Sequence, residues 1–156
     1  MTAALSVPCM GPESKGGARF APGGTPWVPA RARVLGVARK LVVKVTAGKD
    51  EPERCNQAFT VASTAVASDV SVSLWLTGEA AWFGLPGRAE DFSLPHAAPL
   101  ADLLAAVLAL GTVTVCGQCA ARRDITPQDV IPGIRIAGAA TFVAEVVADD
   151  VQALVY

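Results

Sequence analysis

The chain has 156 residues, 52% hydrophobic and 17% charged, enough for one domain with a buried core and short for two. Thirteen Lys and Arg against fourteen Asp and Glu leave a net charge of −1, so no global basic field exists to hold nucleic acid or an anionic membrane. The apolar stretch from Ala97 to Val115 contains Asp102 and turn punctuation and does not read as the roughly 18 continuous apolar residues of a membrane span.

A soluble protein with no nucleic-acid and no membrane partner is therefore expected. The four cysteines, Cys9, Cys55, Cys116 and Cys119, accompany no secretory apolar segment and read as reduced thiols, which places the chain in the cytoplasm.

The near-zero charge is a cancellation. Residues 1–40 carry six basic residues and one acid, a net of +5, whereas the remainder carries seven basic and thirteen acidic residues, a net of −6. The same 40 residues hold six Gly and five Pro without hydrophobic periodicity, the composition of a disordered tail. A targeting peptide, a basic arm or an over-extended start are the alternatives, and Val34 to Val37 is too short an apolar run for a signal sequence. The expected organisation is a disordered tail over residues 1–40 and an α/β domain over residues 41–156.

Within the domain, Leu41-Val42-Val43-Lys44-Val45-Thr46 is a short β-branched run bounded by Ala47-Gly48, the pattern of a strand buried in a parallel sheet. Asp50-Glu51-Pro52-Glu53 then opens a helix with Asp50 as an N-cap and Pro52 in the first turn. Ala58, Phe59, Ala62, Ala65 and Val66 follow at helical spacing. Val70 to Leu76 alternates as a second strand ending at Thr77-Gly78, and a short helix is expected over Glu79 to Phe83.

Leu85 to Ala98, with Pro86, Pro95 and the only histidine and with Pro99 directly after it, is a long connection of the kind that flanks active sites, hence a candidate lid. Leu100 to Leu110 is a helix apolar almost all round and closed by Gly111, so burial on two sides is expected. Thr112 to Val115 is a third strand that runs into Cys116-Gly117-Gln118-Cys119, with a helix starting over Ala120 to Arg123. Ile134-Arg135-Ile136 reads as a short fourth strand. A helix with Ala139, Phe142, Val143, Val146 and Val147 on one face and a terminal strand over Ala153 to Tyr156 complete the chain. Strands that alternate with helices in this way define a three-layer α/β class with a mostly parallel sheet of four to five strands and helices on both faces.

In such sheets ligands bind outside the carboxyl ends of the strands, where both Thr46-Ala47-Gly48 and Cys116 fall. The chain contains no Gly-x-Gly-x-x-Gly, Walker loop or Gly-x-Ser-x-Gly. Its one chemical constellation is the Cys116/Cys119 pair, at a strand end running into a helix, where backbone N–H groups favour a thiolate. Cys116 is the candidate nucleophile. Gly117 and Gln118 leave backbone free to approach an anion or a sulfur atom. Arg122 and Arg123 follow Cys119 by three and four residues and would add positive charge on its helical face. Thr46 and Gly48 join them as candidate anion-binding residues.

The competing reading is that both thiols fill small apolar sites. Zinc would need Cys9, Cys55 or His96 as further ligands, and no second closely spaced pair exists, so no metal is expected. His96 reads as a surface loop residue, Cys55 as a buried helix thiol, and Trp75 and Trp82 as core or interface residues.

The run Val113 to Ile125, then Ile134-Arg135-Ile136-Ala137-Gly138, a helix and the terminal Ala153-Leu154-Val155-Tyr156 resemble the DsrE/DsrF-like family, in particular its members with Cys-Gly-x-Cys. Asp124 stands where members often have Gly, and residues 1–40 have no counterpart in the pattern. The resemblance implies a flavodoxin-like sheet, a homo-oligomer, and a sulfur-relay role in which Cys116 carries a persulfide between sulfur donor and acceptor proteins. It implies no cofactor. Two alternatives stay open beside that sulfur-carrier reading: a thiol-disulfide redox protein using Cys116 and Cys119, and a non-catalytic oligomeric binding protein whose interface is the helix Leu100 to Leu110.

Overall fold

The computed structural model describes residues 40–156. The expected tail therefore lies, up to residue 39, outside the described residues. Five strands form one parallel sheet: β1 (Lys40–Val45), β2 (Ser71–Leu76), β3 (Thr112–Cys116), β4 (Ile134–Ala137) and β5 (Val151–Val155). Their order is β4-β3-β2-β1-β5. Four α-helices accompany them, α1 (Pro52–Ala67), α2 (Leu100–Leu110), α3 (Gly117–Ala121) and α4 (Ala139–Val146). The short helix expected over Glu79 to Phe83 is present as a 3-10 helix over Gly78–Gly84.

The strand order explains the layering. From β1 to β4 the chain steps in one direction across the sheet, then returns past all of it to place β5 beside β1. Right-handed crossovers put the helices of forward steps on one face and the helix of the return step on the other. Accordingly α1 and α2 pack together against β1, β2 and β3. The opposite face belongs to α4, where Trp75 of β2 meets Phe142 edge-on at 5.3 Å between ring centroids. This is the expected three-layer α/β fold with flavodoxin-like layering.

The core lies between the sheet and the α1/α2 layer. Val43, Val45, Val72, Leu74, Leu76, Val113 and Val115 point into it and meet Ala58, Phe59, Ala62, Leu104 and Val107, side chains whose removal from water drives the collapse. Alternation along each strand then sends Lys44, Trp75 and Thr114, which are in register with one another, to the α4 face.

Several local expectations need correction. Asp50 does not cap α1: its carboxylate accepts the Gly48 N–H at 2.7 Å, and Glu51 occupies the N-cap without a side-chain bond. The turn after β1 claims Asp50 first: its carboxylate reaches back two residues to the Gly48 N–H, a local side-chain to backbone bond that competes with capping. Burial of α2 is one-sided: Leu100, Leu104 and Val107 are buried, whereas Leu110 is 70% exposed.

The connection from Leu85 to Ala98 is no free lid over the cysteines. Ala89 and Phe92 are buried in the core, Phe92 stacks edge-on with Phe83 at 5.6 Å, and the Ala98 carbonyl accepts a bond from Asn56 Nδ2 of α1. The helix expected from Ala120 begins earlier, at Gly117. In α4, Val143 and Val147 point to solvent, 52% and 71% exposed, because the side facing the sheet is taken by Phe142 and Glu145.

Candidate functional site

Cys116 is the last residue of β3 and the N-cap of α3, so the chain turns from strand to helix on this side chain. A helix start leaves its first N–H groups without intrahelical partners, and those of Gln118 and Cys119 favour the Cys116 thiolate although the Cys116 side chain forms no cap bond. Burial acts to raise the Cys116 thiol. The Cys119 N–H and thiol and the Gln118 N–H, together with the charge of Lys44, outweigh it and hold the group below its ordinary value of 9.0. The half-buried Cys116 thus combines a lowered thiol pKa with solvent access, a combination that favours reactivity.

Cys119 lies one helical turn on and is 7% exposed. Its sulfur accepts the N–H of Gly78 at 3.2 Å. Gly78 has φ +52, and a Cβ on it would stand 2.7 Å from the Thr46 carbonyl oxygen, so the turn needs glycine at this point. That same Thr46 carbonyl accepts the Glu79 N–H at 3.0 Å. Gly48 is packed against Glu79, its own hypothetical Cβ lying 2.8 Å from the Glu79 Cβ. Thr46 and Gly48, expected to bind an anion, therefore hold the turn whose N–H reaches Cys119. The Thr46 hydroxyl donates to the Tyr156 carbonyl at 2.7 Å.

The two arginines diverge. Arg123 bridges Glu79 at 2.6 Å, donates to the Cys119 carbonyl at 3.3 Å and lies 5.7 Å above the Trp82 ring; it ties α3 to the 3-10 segment. Arg122 is exposed at the end of α3. A Cβ on Gly117 would stand 3.5 Å from the Ala137 carbonyl oxygen, an ordinary contact, and Gln118 is exposed.

His96 is exposed with φ +62 and lines a groove with Asn56, Gln57 and Tyr156 rather than the cysteines. Cys55 is fully buried in α1, and burial, with Asp50 nearby, pushes its thiol up to about 12. At pH 8 its thiolate fraction is therefore on the order of 10⁻⁴. Native-state alkylation is expected to label Cys116 well before Cys55, and peptide mapping that finds Cys55 labelled first would contradict this placement.

Lys44 was not anticipated. Its charge reaches Cys116, and its ammonium lies 5.1 Å from the Phe142 ring centroid. In sequence it is one polar residue inside a strand, and only the parallel register carries it to the cysteine side of the sheet. Among the described residues no group of three potential metal ligands exists, and no helix of the described residues is long and apolar enough to cross a membrane.

A parallel α/β sheet with a half-buried cysteine at its carboxyl edge is the class of protein that fold and site define. The model of the DsrE/DsrF-like family matches residues 39–151, and the chain belongs to that family. Among solved structures, the YchN protein from E. coli matches with a TM-score of 0.62 and 19% identity, over 75% of this chain and 97% of that one, a likeness of fold. No curated protein matches the chain.

Proposed function

We propose that this protein is a sulfur carrier in which Cys116 accepts sulfane sulfur and passes it on. The observation that carries the reading is the seat of one half-buried sulfur, Cys116, at the carboxyl end of β3 and the N-cap of α3, a setting that holds its pKa below the ordinary value. In the transfer, the Cys116 thiolate attacks the outer sulfur of a donor persulfide. The donor's S–S bond breaks, its inner sulfur leaves as thiolate, and the outer sulfur with its proton ends on Cys116. Attack of an acceptor thiolate on that outer sulfur restores Cys116. The sulfur keeps its oxidation level throughout, so neither step calls for an oxidant, a metal or a nucleotide, and donor and acceptor proteins are the partners.

Incubation with a low-molecular-weight persulfide, followed by peptide-resolved mass spectrometry, tests the proposal. One added sulfur atom on the Cys116 peptide is expected; addition only at Cys9 or Cys55, or none, would sink it. A reversible Cys116–Cys119 disulfide is the second reading, favoured by the placement of the two thiols three residues apart at the start of α3; redox titration with no two-electron transition between them eliminates it.

The carrier is further proposed to be a homo-oligomer in the cytoplasm. Val143 of α4, Val147 directly after it and Val155 of β5 expose large apolar side chains, and surfaces of this kind mark contacts with other chains. Light scattering at micromolar concentration should give a mass above the 16.0 kDa of one chain, with Val147→Glu shifting it downwards. A monomer under those conditions would rule the assembly out.

A further inference from the structure

Beside the 3-10 segment the surface holds a recess of about 160 Å³ lined by Lys49, Glu79, Trp82, Phe83 and Arg88. Its walls come from three parts of the chain, and each is braced. Lys49 follows Gly48, which lies so close to Glu79 that a Cβ on it would stand 2.8 Å from the Glu79 Cβ. Trp82 and Phe83 belong to the 3-10 segment, and Phe83 is buried edge-on against Phe59 and Phe92. Arg88 comes four residues before the buried Phe92, and its guanidinium lies over the Trp82 ring, 5.1 Å from the centroid.

The charges at this recess do not cancel. Glu79 is held by Arg123 in an ion pair of 2.6 Å. Lys49 and Arg88 have no acidic partner among the described residues. Three cations, Lys49, Arg88 and Arg123, against the one acid Glu79 leave a net of +2, on a domain whose residues 41–156 carry −6. The acids nearest in sequence do not correct the balance: Asp50 serves the Gly48 N–H, Glu51 pairs with Arg54, and Glu90 and Asp91 stand outside the lining. Like charges held together repel, and an anion between them turns that repulsion into attraction. A concave surface with an aromatic floor and a few convergent polar groups is the form that small-molecule sites take.

We propose that this recess binds a small organic monoanion, a carboxylate carried on an apolar or aromatic body of about one ring. Arg88 offers the edge of its planar fork to the carboxylate while its face rests on Trp82, and Lys49 adds a point charge. Phe83 and the Trp82 ring receive the body. The volume limits its size, since a cavity of roughly 150 Å³ admits benzene. Glu79 limits its charge: only its Oε1 is engaged by Arg123, so the carboxylate repels a dianion such as phosphate more than a monoanion. The lining includes neither Cys116 nor Cys119, so the site is independent of the carrier reading and its test uses no sulfur donor.

The experiment is an NMR titration of the isotopically labelled full chain with benzoate, followed at the Trp82 indole N–H, which Trp82→Phe assigns. A saturable shift with a dissociation constant on the order of 1 mM or tighter is expected. Benzamide, the uncharged counterpart, and inorganic phosphate should each bind at least about tenfold more weakly. Arg88→Ala, at an exposed position, should weaken benzoate about tenfold and Lys49→Ala about threefold, with Arg88→Lys, which keeps the charge and loses the fork, between them. Arg54→Ala removes an exposed cation of α1 outside the lining and should leave the affinity at the wild-type value.

No saturation up to about 20 mM benzoate, equal binding of benzamide, or tighter binding of phosphate would overturn the site. So would full affinity in both Arg88→Ala and Lys49→Ala, or an equal loss in Arg54→Ala, which reports net charge alone. Should Arg88→Ala fail to fold, Lys49→Ala and Arg88→Lys decide: unchanged affinity in both overturns the site, and a loss in either supports it.

Discussion

Cys116→Ser should abolish sulfur loading while leaving the fold intact. A serine hydroxyl nearly keeps the size of the side chain and is a good helix N-cap, but it has no accessible anion at neutral pH and no sulfur on which to hold a persulfide. Loading at this position should fall by at least about a hundredfold, since the activating groups have no thiolate to act on. Stability should change by about 1 kcal/mol or less, because the site is half-buried and no large cavity opens. Mass spectrometry of persulfide-treated wild type and variant, beside their circular dichroism, gives the comparison. Equal total loading of the two proteins, with both folded, would remove Cys116 from the reaction.

The second large effect concerns stability. Glu145 of α4 is the only ionisable residue of its helix, and it points inwards: its carboxylate accepts the Ser73 hydroxyl at 2.6 Å and the Trp75 indole N–H at 3.2 Å. It also pairs with Arg135 and, at 3.6 Å, with Lys40. Its side chain is 13% exposed. Burial alone would raise its pKa, and the bonds from Ser73 and Trp75 with the charges of Lys40 and Arg135 hold it below the ordinary value of 4.5 instead.

Among the described residues these bonds are the polar anchor of α4 on the sheet, and Glu145→Ala should cost about 2–3 kcal/mol because it leaves the buried Ser73 hydroxyl and Trp75 N–H unpaired. The pH dependence has a definite sign. A carboxylate with a lowered folded pKa contributes its stability in full above the unfolded value and loses it as pH falls through the folded value. The urea midpoints of wild type and Glu145→Gln should therefore be well separated at pH 7 and converge on acidification below about pH 4. A separation independent of pH would show that the ionised carboxylate does not hold the helix.

Much of this was readable from residues close together in the chain. The continuous apolar runs at Leu41–Val45 and Val113–Val115 identified buried parallel strands because both faces of such a sheet are covered. Pro52 in a first turn marked the start of α1. The position of Cys116 at the junction of strand and helix follows from local pattern as well, and with it the availability of unpaired N–H groups.

What failed had a common cause. Leu100 to Leu110 is apolar all round, and composition cannot say that its partner α1 covers one side only. The apolar stripe expected on α4 is split, with Phe142 turned to Trp75 and Val143 and Val147 to solvent, because the helix docks through Glu145. Arg123, expected beside a bound anion, is tied to Glu79, 44 residues earlier.

The sequence by itself determined the fold class, the family pattern and the cysteine pair, since each is written in neighbouring residues whose periodicity and spacing carry the physics. Only the tertiary structure decided which groups act on that pair: Lys44 is carried to it by the strand register, and Gly78 reaches Cys119 across 41 residues. Electrostatics and hydrogen bonding depend on distance in space, and crossover handedness, not residue order, sets that distance when the last helix returns across the sheet.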